Sequence, residues 1–247
     1  MAKVTIKEYQ SRCFAEYKAT VGLPDEYTYF YGNPVNVLVP IETATDGAMV
    51  VGAYPSAKFY RIGRITDVPL LDNDSPFSSE TYYDGARVRS VPSGCELNDN
   101  YLAPLGLPRT RCWITDLVKV FLFKPGHVRR YQELGSLSAA ETRSKFREIG
   151  KKSIPWLVEE IKLASPRAIV CLGSEVTSIL FSVSEKEARS YLDGQARDLR
   201  LIDMTSSAIC LPHPGIIMKD FRNNPWPHRF RAEIIPKAFK ELRSMGL

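Results

Sequence analysis

Cysteine is scarce in this chain and carries no ligand-like spacing: there are five in 247 residues, without a C-x-x-C pair. That excludes a disulfide framework and a zinc ribbon, and it fits reduced thiols in a cytosol-like compartment. Histidine is scarcer, at three (His127, His213 and His228), and the His and Cys positions offer no ligand set, so no metal is expected. No apolar run reaches the roughly 18–20 residues that cross a bilayer, so no membrane partner is expected. Residues 1–9 hold no apolar core of signal-peptide length, and an intracellular location follows, cytoplasmic in a bacterium. The Walker, G-x-G-x-x-G, H-E-x-x-H and G-x-S-x-G patterns are missing. P-loop NTPases, the usual dinucleotide dehydrogenases, zincins and α/β-hydrolases therefore lack their signatures.

What is present is the composition of a globular protein, 44% hydrophobic and 25% charged, which excludes wholesale disorder. The net charge of +5 is unevenly distributed. Residues 1–108 balance at −4, 109–152 at +7, 153–218 at −2 and 219–247 at +4. Two basic blocks brought to one face would make a footprint for a polyanion such as DNA, whereas helices carrying Lys and Arg for solubility would produce the same count.

Apolar spacing at Tyr9, Cys13 and Tyr17 predicts a helix over residues 6–20. Short Val-rich or Ile-rich runs predict strands at 48–53, 111–118, 168–172 and 208–211, with a further short strand at 35–39. Ser138 and Glu141 form a capping-box pattern opening a helical stretch to about residue 164, with Pro155 predicting a break or restart. Residues 58–98 read as short elements wrapping the core, 175–181 as a helix, and 227–245 as a basic C-terminal helix. Apolar strands alternating with helices define an α/β class. The expected form is three α/β/α layers around a central, mostly parallel four-stranded sheet. No linker or repeat divides the chain, so residues 1–247 are expected to form one domain with 1–34 as a helical N-terminal extension. A monomer is expected.

In such a sheet the ligand site lies beyond the carboxyl ends of the strands. The residues there are Tyr54-Pro55-Ser56, Thr115-Asp116, Gly173-Ser174 and His213-Pro214-Gly215. His213 stands between two prolines that fix its backbone; it is either a held functional side chain or a turn histidine capping the strand. Asp116 ends a buried strand, where a carboxylate needs either a task or backbone partners. Gly173-Ser174 either cradles an anion at a helix start or makes an ordinary tight turn.

In order along the chain these segments resemble the uracil-DNA glycosylase superfamily. Residues 50–56 (Val-Val-Gly-Ala-Tyr-Pro-Ser) resemble its first motif. Residues 93–97 and 105–109 resemble the approach to the next strand, and 113–119 (Trp-Ile-Thr-Asp-Leu-Val-Lys) resemble a strand reading Ile-Thr-Asn-x-Val-Lys. Residues 166–174 resemble the Pro-x-x-Ile-x-x-Leu-Gly strand and turn, and His213-Pro-Gly resembles the last motif, His-Pro-Ser.

The resemblance implies hydrolysis of an N-glycosidic bond in DNA after the base is flipped out of the stack. It implies His213 as the catalytic group on the departing base, with Tyr54, Pro55, Ser56, Phe77, Asp116, Gly173 and Ser174 as the substrate pocket. Phe77 is favoured over Phe59 for stacking on the base. Ile216, Ile217 and Met218 correspond to a duplex wedge, and Lys119, Lys124, Arg129 and Arg130 are expected on the DNA backbone. No cofactor is expected: Val120 and Ser153 stand where two cysteines of an iron–sulfur cluster would be.

Two departures bear on activity. Ala53 and Tyr54 occupy positions where relatives place a water-orienting Asp, Asn or Glu, which leaves Asp46, Asp72 or Asp74 as substitutes. Asp116 replaces an Asn that reads uracil, and an ionised Asp only accepts hydrogen bonds. Three outcomes stay open: a base-excision enzyme, a catalytically inactive nucleic-acid or nucleotide-binding member of the same fold, and a small-molecule hydrolase using the same pocket.

Overall fold

The computed structural model describes residues 4–136, 139–219 and 223–247. Among the described residues nine strands run in chain order: β1 Ala48–Gly52, β2 Ala57–Ile62, β3 Ile65–Asp72, β4 Thr81–Tyr83, β5 Val88–Ser90, β6 Cys112–Asp116, β7 Ala168–Leu172, β8 Ala196–Leu201 and β9 Met204–Leu211. The helices are α1 Ile6–Val21, α2 Ser93–Leu97, α3 Pro125–Glu133, α4 Phe146–Ala164, α5 Ser174–Leu180, α6 Glu185–Ser190, α7 Pro214–Ile217, α8 Trp226–Arg229 and α9 Ile235–Ser244.

The central sheet has five strands in the order β6-β1-β7-β9-β8, not four. Its first four strands are parallel, and β8 pairs antiparallel with β9 as an edge. That edge strand reads Ala-Arg-Asp-Leu-Arg-Leu, polar enough to have escaped detection as an apolar run. The expected strand at 35–39 is absent: the segment is largely buried, but only Pro34 beside it makes an isolated bridge, to Thr28.

Alternation along the buried strands builds the layers. Met49, Val51, Trp113, Ile169 and Cys171 face one side, where Tyr9, Cys13 and Tyr17 of α1 and Leu157 and Ile161 of α4 join the same core. Ala48, Val50, Ile114, Val170, Ile209 and Leu211 face the other, packing with Leu97, Tyr101, Phe230, Ile234, Ala238 and Leu242. The N-terminal helix is thus part of the main core. Thr5 caps it with a reciprocal Glu8 capping box, and Gly22 in the left-handed region ends it.

Helix α4 runs through Pro155 without a break, and begins at Phe146 rather than near residue 139. The capping-box reading at Ser138 lies outside the described residues. The segment 57–90 forms two antiparallel hairpins, β2–β3 and β4–β5. Among the described residues no helix is long and apolar enough to cross a membrane.

Candidate active site

The strand register sets the site. Gly52 pairs with Asp116 at the carboxyl ends of β1 and β6, and Leu172 pairs with Leu211 at the ends of β7 and β9. Asp116 and His213 therefore stand at the same end of the sheet, on strands separated by β1 and β7. Between them opens a cavity of about 370 Å³. Tyr54, Pro55, Ser56, Phe77, Asp116 and His213 all line it, as do Phe59, Phe121, His127, Lys124 and Glu96.

Asp116 is buried at 3% exposure, and among the described residues its carboxyl accepts no hydrogen bond. Burial pushes its pKa up to about 7; the nearby Lys119 ammonium opposes the shift and Glu160 adds to it. At neutral pH the group therefore divides between a carboxylate that accepts and an acid that also donates.

Phe77 reaches the cavity through a left-handed backbone at φ 52°, a costly conformation for an aromatic residue. Arg109 holds it there: its Nη2 donates to the Phe77 carbonyl at 3.0 Å, while Nε donates to Glu42 at 2.6 Å. A basic residue of the 109–152 block is thereby used inside the fold.

His213 caps α7. Its Nδ1 accepts from the Gly215 N–H at 3.0 Å, so in the neutral ring the proton sits on Nε2. His213 is an exposed residue; desolvation of its ring, opposed by Glu175 and reinforced by Lys124 and Arg143, holds its pKa below the ordinary value. Gly173, with φ 95°, lies directly against it: a Cβ there would stand 3.1 Å from His213 Cβ. Gly173 and Ser174 do not line the cavity; the turn lies against His213.

The basic residues separate. Lys124 is exposed on the cavity rim, where burial of its stem and Arg143 lower its pKa. Arg129 and Arg130 line a groove with Arg64 of the β2–β3 hairpin. Lys119 cannot touch DNA: it is 0% exposed. Its Nζ bonds Glu160 at 2.6 Å, Thr115 Oγ1 at 2.9 Å and the Asp116 carbonyl at 2.9 Å. Glu160 in turn accepts from Tyr9 at 2.6 Å and Trp113 Nε1 at 3.1 Å, a closed network that anchors the end of β6. Of the wedge residues, Ile217 belongs to the core at 6% exposure, Ile216 is half-buried and Met218 is 49% exposed. Ile217 therefore cannot enter a duplex without unpacking the fold.

The substitutes for the water-orienting group are also placed. Asp72 is engaged by Tyr29 and Asn36, and Asp74 by Lys58. Asp46 precedes β1, at the opposite end of the sheet. None of the three lines the cavity.

Several site residues were not legible in the sequence. His127 is buried and stacks on Phe121 at 5.4 Å, and its Nδ1 accepts from the Lys124 N–H. Burial depresses its pKa to about 4, so it is a neutral Nε2–H donor at physiological pH. Arg143 Nε donates to the Tyr54 hydroxyl at 3.0 Å, and its Nη2 meets both oxygens of Glu175 at 2.6 and 2.5 Å, closing one wall. Glu96 completes another.

Residues 44–237 match the family described as the uracil DNA glycosylase superfamily. The match covers most of the chain, and the chain belongs to that superfamily. A comparison with curated proteins gives no match. Membership indicates a glycosylase-type activity, in a family that acts on DNA.

Proposed function

We propose that this protein is a DNA base-excision glycosylase that hydrolyses the N-glycosidic bond of a damaged or deaminated base. The observation that carries the reading is the convergence of Phe77, Asp116 and His213 on one cavity at the strand ends, in a chain of this superfamily. A base rotated out of the stack enters that cavity. Phe77 supplies an aromatic face, and Asp116 meets the polar edge of the base. As the C1′–N bond breaks, negative charge grows on the base. The Nε2–H of His213 donates to it, and a neutral ring needs no prior proton transfer to do so. His127 offers a second neutral donor on the same cavity. Lys124, Arg129 and Arg130 hold the phosphates, and Ile216 with Met218 fills the space the base leaves.

The test is base release from oligonucleotides carrying uracil, hypoxanthine, xanthine or alkylated bases. Release from at least one substrate, lost in His213→Ala, supports the reading. Salt-sensitive DNA binding without release from any of them overturns it in favour of a binding module.

A further inference from the structure

The first motif holds no group to activate water, yet the cavity contains a carboxylate with no structural employment. Glu96 lies on α2, half-buried on the cavity wall. Among the described residues, nothing donates to its carboxyl and no cation pairs with it. Of the other acidic side chains on that cavity, Glu175 is paired with Arg143, and Asp116, which also accepts no hydrogen bond, is the group the proposed function gives to reading the base.

The fold holds Glu96 firmly between the two groups that would meet the substrate. On one side, Ser93 Oγ and the Gly94 N–H both donate to the Ser78 carbonyl, at 3.1 and 2.8 Å, fastening α2 to the segment that presents Phe77. On the other, the helical turn Asn98–Leu102 continues α2 directly, and Tyr101 on it donates to the Pro212 carbonyl at 2.7 Å. That carbonyl adjoins His213. Helix α2 also packs against α7, which His213 caps. A carboxylate so placed, facing water and free of partners, has the form of a general base rather than of a structural ion.

We propose that Glu96 is the residue that activates water in the glycosylase reaction. The inference rests on the function proposed above. Water held by Glu96 attacks C1′ of the flipped nucleotide. Its oxygen forms the new C1′–O bond, and one of its protons passes to the Glu96 carboxylate. The C1′–N bond breaks, and its electron pair leaves on the base, facing the Nε2–H of His213. The departing base takes up a proton from solvent and Glu96 returns the proton it gained to solvent, which gives a free base, an abasic sugar and a regenerated carboxylate, with no cofactor or oxidant needed. Burial holds the Glu96 carboxyl above its ordinary range, in the direction that strengthens a base. The other charged and titratable groups on the same cavity are Tyr54, Asp116, Lys124, His127, Arg143, Glu175 and His213, and Tyr101 lies within electrostatic reach of Glu96.

The experiment compares wild type, Glu96→Gln and Glu96→Asp. It uses single-turnover release from the best substrate of the panel, and binding to a duplex containing a tetrahydrofuran abasic-site analogue. Glu96→Gln is expected to slow release by about 10²-fold or more, the usual contribution of a general base. Binding of the analogue should stay within about twofold, and Glu96→Asp should recover part of the rate. Glu96→Gln releasing base near the wild-type rate overturns the assignment, as does a parallel loss of release and binding. Wild-type protein that releases nothing overturns the glycosylase reading and this assignment with it, so the two failures are distinguishable.

Discussion

The carboxyl of Asp116 occupies the space a side chain at Gly52 would need: a Cβ there would stand 2.1 Å from Asp116 Oδ1 and 2.6 Å from the Phe77 ring. The parallel register sets Gly52 beside Asp116, and the missing side chain lets both the carboxylate and the aromatic close on the strand end. Gly52→Ala should therefore displace the base-reading groups. We expect a loss of about 1–3 kcal/mol of stability, as for other overpacked sites. Base release should fall by more than that loss of folded protein explains. Denaturant unfolding and single-turnover release measure the two effects, and unchanged release would contradict the packing argument.

Asp116 should make stability and base choice depend on pH. Its folded value of about 7 lies above the value near 4 of an unfolded carboxyl, so the folded state binds this proton more tightly. The stability it contributes is fully present below pH 4 and is lost as pH rises through 7. Asp116→Asn removes that dependence, so the variant should gain stability relative to wild type between pH 5 and pH 8. An equal difference at both pH values would contradict the assignment. For wild type, bases with a carbonyl at the read edge should be released best at acidic pH, where the group can donate. Bases offering N–H donors should be released best at alkaline pH.

The strand ends that line this cavity are legible in the sequence. The buried parallel strands β1, β6 and β7 announce themselves as short apolar runs, because each is covered on both faces. Knowing where those strands end brings Tyr54, Asp116 and His213 together. What could not be read depends on distant partners. Lys119 looks like a phosphate ligand in a basic block, and only Glu160, Tyr9 and Trp113, from three other elements, turn it into a core residue. Glu96 sits among polar residues in the least periodic part of the chain, and its importance comes from having no partner. Strand β8 lacks an apolar run because it is an edge.

Breaking the Lys119–Glu160 pair should be costly. Lys119→Met leaves a buried carboxylate with only neutral donors, and a loss of about 3–5 kcal/mol is expected. Thermal or denaturant unfolding checks this. The salt dependence of DNA binding by the folded variant should match wild type. A shallower salt slope would mean that Lys119 meets phosphate after all.

The basic residues at the surface, Lys124 and Arg129 exposed and Arg130 half-buried, should behave in the opposite way. Lys124→Ala, Arg129→Ala and Arg130→Ala should leave stability within about 0.5 kcal/mol, as surface changes usually do. Each phosphate contact removed should lower the slope of log affinity against log salt by about 0.9 on duplex DNA. Binding titrations at several salt concentrations give that slope, and three unchanged slopes would place the DNA elsewhere on the surface.

In the proposed function base release depends most directly on His213. The measurement is single-turnover base release by wild type and His213→Ala on the damaged-base panel, with DNA binding followed in parallel. We predict release by wild type and a fall of about 10²–10³-fold in the variant, the usual consequence of removing one donor to a developing anion. Binding should persist. Release by His213→Ala at the wild-type rate, or no release by wild type on any substrate, would contradict the account.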